Sequence, residues 1–322
     1  MTVSQPWLQG CLPGLEPVSA ARLSELPLLL AQRYRVERLL GAGAMGVVYR
    51  ARDLLHEQFG DPEPWVALKL LNSDFVDITD ASALLYNEFV LMRRLCHPGV
   101  VRTYSFEVDS VCARTFMTQE LIEGTSLDRL LCERPEGLSW PVLQPMAIGL
   151  LEALAHVHRR GVLHGDVKPG NVLLAEDGPR LFDFGLGRPM AGLLPGLAQL
   201  DRSRFKAWTP AYAAAELLEG APLSVATDIY ALGCVLYELA SGRHPFHRLD
   251  ALKARAQGLE RTLGRPAQLP SRLWPALRQA LSLDPRQRNI DADQLLEAFR
   301  KASPQGRWLR FWRVRTPGHP AK

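Results

Sequence analysis

The stretch His164-Gly165-Asp166-Val167-Lys168-Pro169-Gly170-Asn171-Val172-Leu173-Leu174, followed after a short hairpin by Asp183-Phe184-Gly185, decides the fold. Polar, loop-forming residues lead into an apolar run, and a second acidic site closes the segment. Phosphoryl transfer asks little covalent chemistry of a protein; it needs positioning and neutralisation of the charge on the transferred group. An aspartate to accept a hydroxyl proton, lysines on phosphate, and an asparagine with a second aspartate as oxygen ligands for divalent cations meet that need. Asp166, Lys168, Asn171 and Asp183 supply these types in order.

Two upstream segments strengthen the reading. Gly41-Ala42-Gly43-Ala44-Met45-Gly46-Val47-Val48 is a G-x-G-x-x-G-x-V loop, whose glycines let backbone N–H groups approach phosphate oxygens. Alone the pattern is weak, since a dinucleotide site opens with the same letters. Such a site runs into a helix, whereas Val47-Val48-Tyr49 reads as a strand; a plain hairpin turn is the bland alternative. Val66-Ala67-Leu68-Lys69 then places a lysine in an apolar strand, where it needs a partner if it points inward. Glu88, on the amphipathic segment that follows, is the candidate. A lysine snorkelling to water from an edge strand is the alternative.

The texture around these motifs divides the chain. Tyr34–Leu40, Val47–Tyr49, Trp65–Leu71, Val100–Glu107 and Val111–Glu120 read as strands, with a helix over 81–96 carrying Leu84, Leu85, Phe89, Met92 and Leu95. After Gly124 the pattern turns helical: Leu127–Cys132, Trp140–Arg160, Ser224–Ser241, Leu249–Gln257, Ser271–Leu283 and Asp291–Ala302. A strand-rich first third and a helical remainder predict an α+β, two-lobed architecture. The expected organisation is an extension over 1–33 ending in a short helix, Ser19–Gln32, then a domain over 34–302 with lobes at 34–120 and 124–302. A basic, aromatic tail over 303–322 follows.

Bulk properties exclude several classes. With 322 residues, 47% hydrophobic and 22% charged, the chain has the composition of a globular protein, and a net charge of +4 gives no case for nucleic-acid binding. Five scattered cysteines without a C-x-x-C pair argue against a disulfide framework or structural zinc and fit a reducing cytoplasm. No segment reads as a signal peptide or transmembrane helix.

The quoted motifs resemble the eukaryotic-type protein kinases, particularly their bacterial serine/threonine branch, over roughly residues 34–302. The resemblance implies ATP with Mg2+, or Mn2+ as the other candidate ion, and protein substrates including the enzyme itself. Gly41, Ala42, Gly43 and Gly46 would cover the nucleotide. Lys69 would bind the α/β-phosphates and pair with Glu88, Asp166 would be the catalytic base, and Lys168 would steady the γ-phosphate. Asn171 and Asp183 would carry the metal. Val48, Ala67 and Leu173 would sandwich the adenine, with backbone bonds from Glu120 and Ile122 beside a polar gatekeeper, Gln119. Thr209-Pro-Ala-Tyr-Ala-Ala-Ala-Glu216 resembles the family's T-P-x-Y-x-A-P-E stretch, Asp228 its loop-bracing aspartate, and Arg288 the arginine that pairs with Glu216.

Two departures stand out. Gly165 replaces the arginine that in many members receives an activation-loop phosphate, so phosphorylation there is expected to matter less, with activity constitutive or under a partner's control. Ala215 replaces a proline, which loosens a turn without removing a chemical group. His-Gly-Asp is also how small-molecule kinases of the aminoglycoside and choline type write this motif; Lys168, Asp183-Phe184-Gly185, the Thr209 stretch and the Asp228 segment weigh against them. A pseudokinase scaffold is the other alternative, opposed by the completeness of Lys69, Glu88, Asp166, Asn171 and Asp183.

Plainer readings fit the remaining features. His156 and His158 are expected to pack or face solvent, and Cys96-His97-Pro98 to form a turn. Residues 307–315 alternate aromatic and basic side chains and offer a peripheral membrane contact as an alternative to packing. Arg188, Arg202, Arg204 and Lys206 read as solvated loop charge, with an acidic substrate as the sharper alternative.

Overall fold

The apolar strand that carries Lys69 is covered on both faces, and the rest of the upper lobe is built around it. The computed structural model describes residues 28–43, 46–71, 79–194, 196–197 and 208–302. Strands β1 (Leu29–Leu30), β2 (Tyr34–Ala42), β3 (Gly46–Asp53), β4 (Trp65–Leu71), β5 (Thr103–Val108) and β6 (Thr115–Glu120) form an antiparallel sheet ordered β1-β2-β3-β4-β6-β5. Side chains alternate across a strand. Val66, Leu68 and Leu70 therefore face one way, into a small cluster with Tyr34, Tyr49 and Phe116. Ala67 and Lys69 face the other way, opposite Gln119 and Met117 of β6. Helix α2 (Thr79–Met92) packs there through Leu85, Leu91 and Met92, which join the large core.

The chain passes into the lower lobe through β7 (Gly124–Ser126), α3 (Leu127–Glu133) and the long α4 (Trp140–Arg159). Alternation at helical period buries Leu143, Met146, Leu150, Leu151, Leu154 and Val157 of α4. β8 (Val162–Leu163), β9 (Val172–Ala175), β10 (Gly178–Leu181) and β11 (Arg188–Pro189) follow; β10-β9-β7 make one small sheet and β11-β8 another. Helices α5 (Ala215–Leu218), α6 (Val225–Ser241), α7 (Ala251–Ala256), α8 (Leu259–Thr262), α9 (Trp274–Ala280) and α10 (Ala292–Lys301) complete the lobe. A Ser224–Thr227 capping box starts α6, and Gly242, at φ +72°, ends it. Val101 N–H donates to the Leu181 carbonyl at 2.9 Å and Leu181 N–H to Gly99 at 2.8 Å, tying the lobes together behind the cleft.

The architecture is the expected α+β, two-lobed one, with the large sheet in one lobe and most of the helices in the other. Several local expectations change. The helix expected to end at Gln32 gives way, in its described part, to β1, because Leu29 and Leu30 pair with Arg35 and Tyr34. The strand expected from Val111 starts at Thr115, since Asp109 Oδ1 accepts Val111 and Cys112 N–H, both at 2.8 Å, and fixes a turn. The helix expected over Ser271–Leu283 begins as a 3-10 turn, Ser271–Leu273, and is helical only as α9, with Pro275 in its first turn. An unanticipated helix, α1 (Leu54–Gln58), is capped by Asp53.

Candidate active site

The face of β4 that bears Lys69 is where the site begins. Lys69 Nζ donates to both Glu88 oxygens, each at 2.7 Å, and to Asp183 Oδ1 at 2.7 Å. Sheet, α2 and the Asp183-Phe184-Gly185 turn thus meet at one ammonium. Burial would lower the Lys69 ammonium, but the Asp183 and Glu88 carboxylates outweigh it and hold its pKa raised. Burial raises the Glu88 carboxyl against the pull of Lys69. Burial also pushes Asp183 upward, yet Lys69, helped by Lys168, holds it below the ordinary carboxylate range. Two carboxylates around one ammonium leave an excess of negative charge that suits a further cation. Asp183 itself sits at φ +64°, a conformation that short polar side chains tolerate.

The second cluster hangs on the loop before β9. Asn171, in the 3-10 turn Pro169–Asn171, donates Nδ2 to the Asp166 carbonyl at 2.8 Å and to Asp166 Oδ2 at 3.0 Å. That leaves Asn171 Oδ1 as its acceptor for another partner. Lys168 Nζ lies 2.6 Å from Asp166 Oδ2 and donates to Thr209 Oγ1 at 2.8 Å. Lys168 and Thr209, far apart in sequence, are thus joined by a direct hydrogen bond.

Asp228, buried at the start of α6, holds this loop from below. Its Oδ2 accepts His164 N–H at 2.8 Å and its Oδ1 accepts Gly165 N–H at 2.9 Å. His158 Nε2 stands 3.0 Å from the same Oδ2. Burial pushes the Asp228 carboxyl up, but the His158 hydrogen bond leads the opposing interactions and its pKa is lowered. Of the two alternatives expected for His158, it packs, and it also joins α4 to the brace of the loop, a contact that the separation of 70 residues hid. His156 does pack, against the His97 ring at 5.1 Å. Phe184 is fully buried on the His164 ring, 4.4 Å away.

Glu216 and Arg288 meet at 2.6 Å. Arg288 is fully buried and also donates to the Ser282 and Ala226 carbonyls. Ala215 is wholly buried at the start of α5.

Of the residues expected around a nucleotide, Val48, Ala67 and Gln119 lie on the Lys69 face of the sheet. Val48 is directly opposite Lys69, Gly41 opposite Val48, and Ala67 opposite Gln119. Ala42 ends β2, and Gly43 N–H donates to the Gly46 carbonyl at 2.8 Å; Ala44 and Met45 lie outside the described residues. A Cβ on Gly46 would lie 2.6 Å from the Leu70 carbonyl oxygen, so that position excludes larger residues. Gln119 is buried and donates Nε2 to Met92 Sδ at 3.2 Å, a satisfaction of its polarity that the sequence did not reveal. Glu120 N–H donates to the Arg102 carbonyl at 2.8 Å, Ile122 is half-buried, and Leu173 lies on β9 below. Ser203, Arg202, Arg204, Lys206 and the 303–322 tail lie outside the described residues.

The donor set fits a hard cation held jointly with phosphates. Asp183 and Asn171 offer oxygen, and magnesium uses one or two protein ligands beside substrate phosphates. Among the described residues no group of three or more His, Cys, Asp or Glu forms a self-sufficient metal cage. No helix among them is long and apolar enough to cross a membrane, and no disulfide joins their four cysteines.

A sheet-borne lysine paired with a helix glutamate, above an asparagine-bound aspartate, defines the class of two-lobed phosphotransferases. The profile of the protein kinase domain matches residues 34–307, and the chain belongs to that family. ATP and a divalent metal are the cofactors of the family in general. The chain is 36% identical over 273 residues to the serine/threonine-protein kinase PkaA of Streptomyces coelicolor, covering 80% of this chain and 48% of that protein. It is 39% identical over 222 residues to the DNA damage-responsive serine/threonine-protein kinase RqkA of Deinococcus radiodurans, covering 68% and 31%. With the serine/threonine-protein kinase PknD of Mycobacterium tuberculosis it shares 32% over 279 residues, covering 84% and 39%. The chain thus spans half or less of the length of these three relatives.

Proposed function

We propose that this chain is an ATP-dependent serine/threonine protein kinase that transfers the γ-phosphate to hydroxyls of protein substrates and to its own. The observation that carries this reading is the contact chain from Asp166 through Lys168 to Thr209. It ties a proton-accepting carboxylate to the segment that presents a polypeptide, which a small-molecule kinase does not require. The complete Lys69–Glu88–Asp183 cluster weighs against a dead scaffold.

In this reading Gly41, Ala42, Gly43 and Gly46 cover the nucleotide. Val48, Ala67 and Leu173 enclose its base beside Gln119, and Glu120 and Ile122 offer backbone bonds to it. Lys69, oriented by Glu88, binds the α/β-phosphates. Asp166, held by Asn171 and Lys168, orients the substrate hydroxyl and accepts its proton; Lys168 also steadies the γ-phosphate. Magnesium, or manganese in its place, held by Asp183 and Asn171, would neutralise phosphate charge. The catalytic unit is taken as 34–302, with 1–33 and 303–322 as extensions. A regulatory protein partner, a peripheral membrane contact through 307–315, and a cytoplasmic setting suggested by the scattered cysteines complete the proposal.

The test is incubation with labelled ATP and magnesium, followed by phosphosite mapping on the chain and a protein panel. Label on serine and threonine is expected, and Asp183→Ala and Lys69→Ala should each lower transfer about a hundredfold or more while the fold persists. Transfer only to small metabolites, or wild-type turnover in Asp183→Ala, would refute the assignment.

A further inference from the structure

A cavity of about 590 Å³ opens beside the C-terminal end of α4, apart from the catalytic residues. Arg159 and Arg160 line it from α4 and its cap, Arg94 from the chain after α2, and Met190 and Leu193 from the segment after β11. Among the described residues the lining holds three guanidiniums and no carboxylate, so its field favours an anion. Arg94 and Arg160 are exposed and, among the described residues, carry no ion pair. Arg160 spends Nε on the Arg94 carbonyl at 3.1 Å, which fixes the plane of its fork and leaves the terminal nitrogens for a ligand. Among the described residues Arg159 is paired only with exposed Asp293, a contact that solvent weakens. Two of the helix-end carbonyls are covered, since Arg160 N–H bonds His156 O and Gly161 N–H bonds His158 O; beyond the helix, Met190 N–H bonds Gly161 O.

His158 also lines the cavity, with a side chain only 9% exposed. Its Nε2 meets Asp228, and its Nδ1 is buried without a hydrogen-bond partner among the described residues. Asp228 in turn accepts the N–H groups of His164 and Gly165, next to Asp166. One side chain therefore separates the cavity from the brace of the catalytic loop. Met190 and Leu193 belong to the segment that leads away from Asp183-Phe184-Gly185, so a ligand seated there also touches the start of the activation region.

We propose that the cavity bounded by Arg94, Arg159 and Arg160 binds a phosphoryl group, and that His158 and Asp228 pass its occupancy to the catalytic loop. Planar guanidinium forks match the oxygen pairs of a tetrahedral phosphate better than a single carboxylate would fill three of them. The phosphoryl group can come from inorganic phosphate or from a phosphoserine of this chain, for which Ser203, the one serine in the sequence between Gly185 and Thr209, is the candidate. Binding is independent of the kinase assignment; the effect on turnover rests on it.

The test uses the full chain, dephosphorylated, with the nucleotide site saturated by magnesium and a non-hydrolysable ATP analogue. Inorganic phosphate is titrated by calorimetry against chloride of equal ionic strength. Saturable binding at one site is expected, weakened at least about tenfold in R94Q and in R94Q/R160Q, whose melting points report folding. No saturable binding by wild type, or unchanged binding in both variants, overturns the site. Autophosphorylated protein that no longer takes up phosphate, with uptake restored in S203A, identifies the chain's own phosphoserine; equal uptake identifies free phosphate. Turnover of a peptide substrate, measured without the analogue, should change at least about threefold on saturation with phosphate and lose that response in H158Q. Binding without any such response overturns the coupling, whereas binding in a chain that transfers no phosphate overturns only the kinase reading.

Discussion

Gly165 sits so close to Leu186 that a Cβ on it would lie 2.6 Å from the Leu186 carbonyl oxygen. Its φ of +84° is one that residues with side chains rarely adopt, and its N–H is already committed to Asp228. The loop has therefore settled into a backbone path that excludes an arginine, beyond merely lacking one. Gly165→Ala and Gly165→Arg should each destabilise the fold by roughly 2 kcal/mol or more, measured by urea denaturation. Gly165→Arg should lower activity and leave its response to phosphatase as it is in wild type. A variant as stable as wild type would sink this account of the loop.

The motif residues were legible because their chemistry is local in sequence: Asp166, Lys168 and Asn171 fall within one short loop, and Val66-Ala67-Leu68-Lys69 announces an inward lysine by its apolar neighbours. Lys69 and Glu88 could be paired because a strand and an amphipathic helix each had a period to read. What stayed hidden depends on contacts between distant segments with no period of their own. His158 reaches Asp228 across 70 residues, and Gln119 finds its partner in a methionine sulfur on another element. Strands of two residues, such as β1 and β8, carry too few side chains to show alternation.

Asp109 shows how one such long contact bears on stability. Its Oδ2 accepts Ala31 N–H at 2.6 Å while Oδ1 holds the turn at Val111 and Cys112. Backbone N–H donors, that of Cys112 first, pull its pKa from 3.8 down to about 2. A depressed carboxylate stabilises the fold above its unfolded pKa, and that contribution fades as pH falls from about 4 toward 2. Asp109→Asn should lose about 1–2 kcal/mol at neutral pH and show a flatter stability profile across that acid window. Parallel acid profiles for variant and wild type would contradict the assignment.

The Arg288–Glu216 pair makes a different demand, because the cation is fully buried. Arg288→Ala would strand Glu216 and the Ser282 and Ala226 carbonyls, and should cost about 3–5 kcal/mol in thermal or urea unfolding. Arg288→Lys should recover only part of the loss, since one ammonium cannot reproduce three separate hydrogen-bonding directions. Recovery to wild-type stability in the lysine variant would show that charge alone holds this corner.

Thr209 offers the sharpest separation of chemistry from folding. Its hydroxyl oxygen accepts from Lys168 at 2.8 Å, and Lys168 is also anchored 2.6 Å from Asp166. Thr209→Val keeps the shape of the side chain and removes the hydroxyl, so Lys168 remains paired but loses one of its two directions. In the proposed mechanism, loss of that second tether lets the ammonium swing away from the phosphoryl group in transfer and frees the Thr209 segment from the loop that carries Asp166. The expected outcome is a fall of about tenfold in kcat/KM on a serine peptide, the size of one charged hydrogen bond, with stability changed by less than about 1 kcal/mol. Thr209→Ser, which restores the oxygen, should return most of the rate. If valine and serine variants turned over alike, the hydroxyl would have no part in positioning Lys168, and the contact would be structural only.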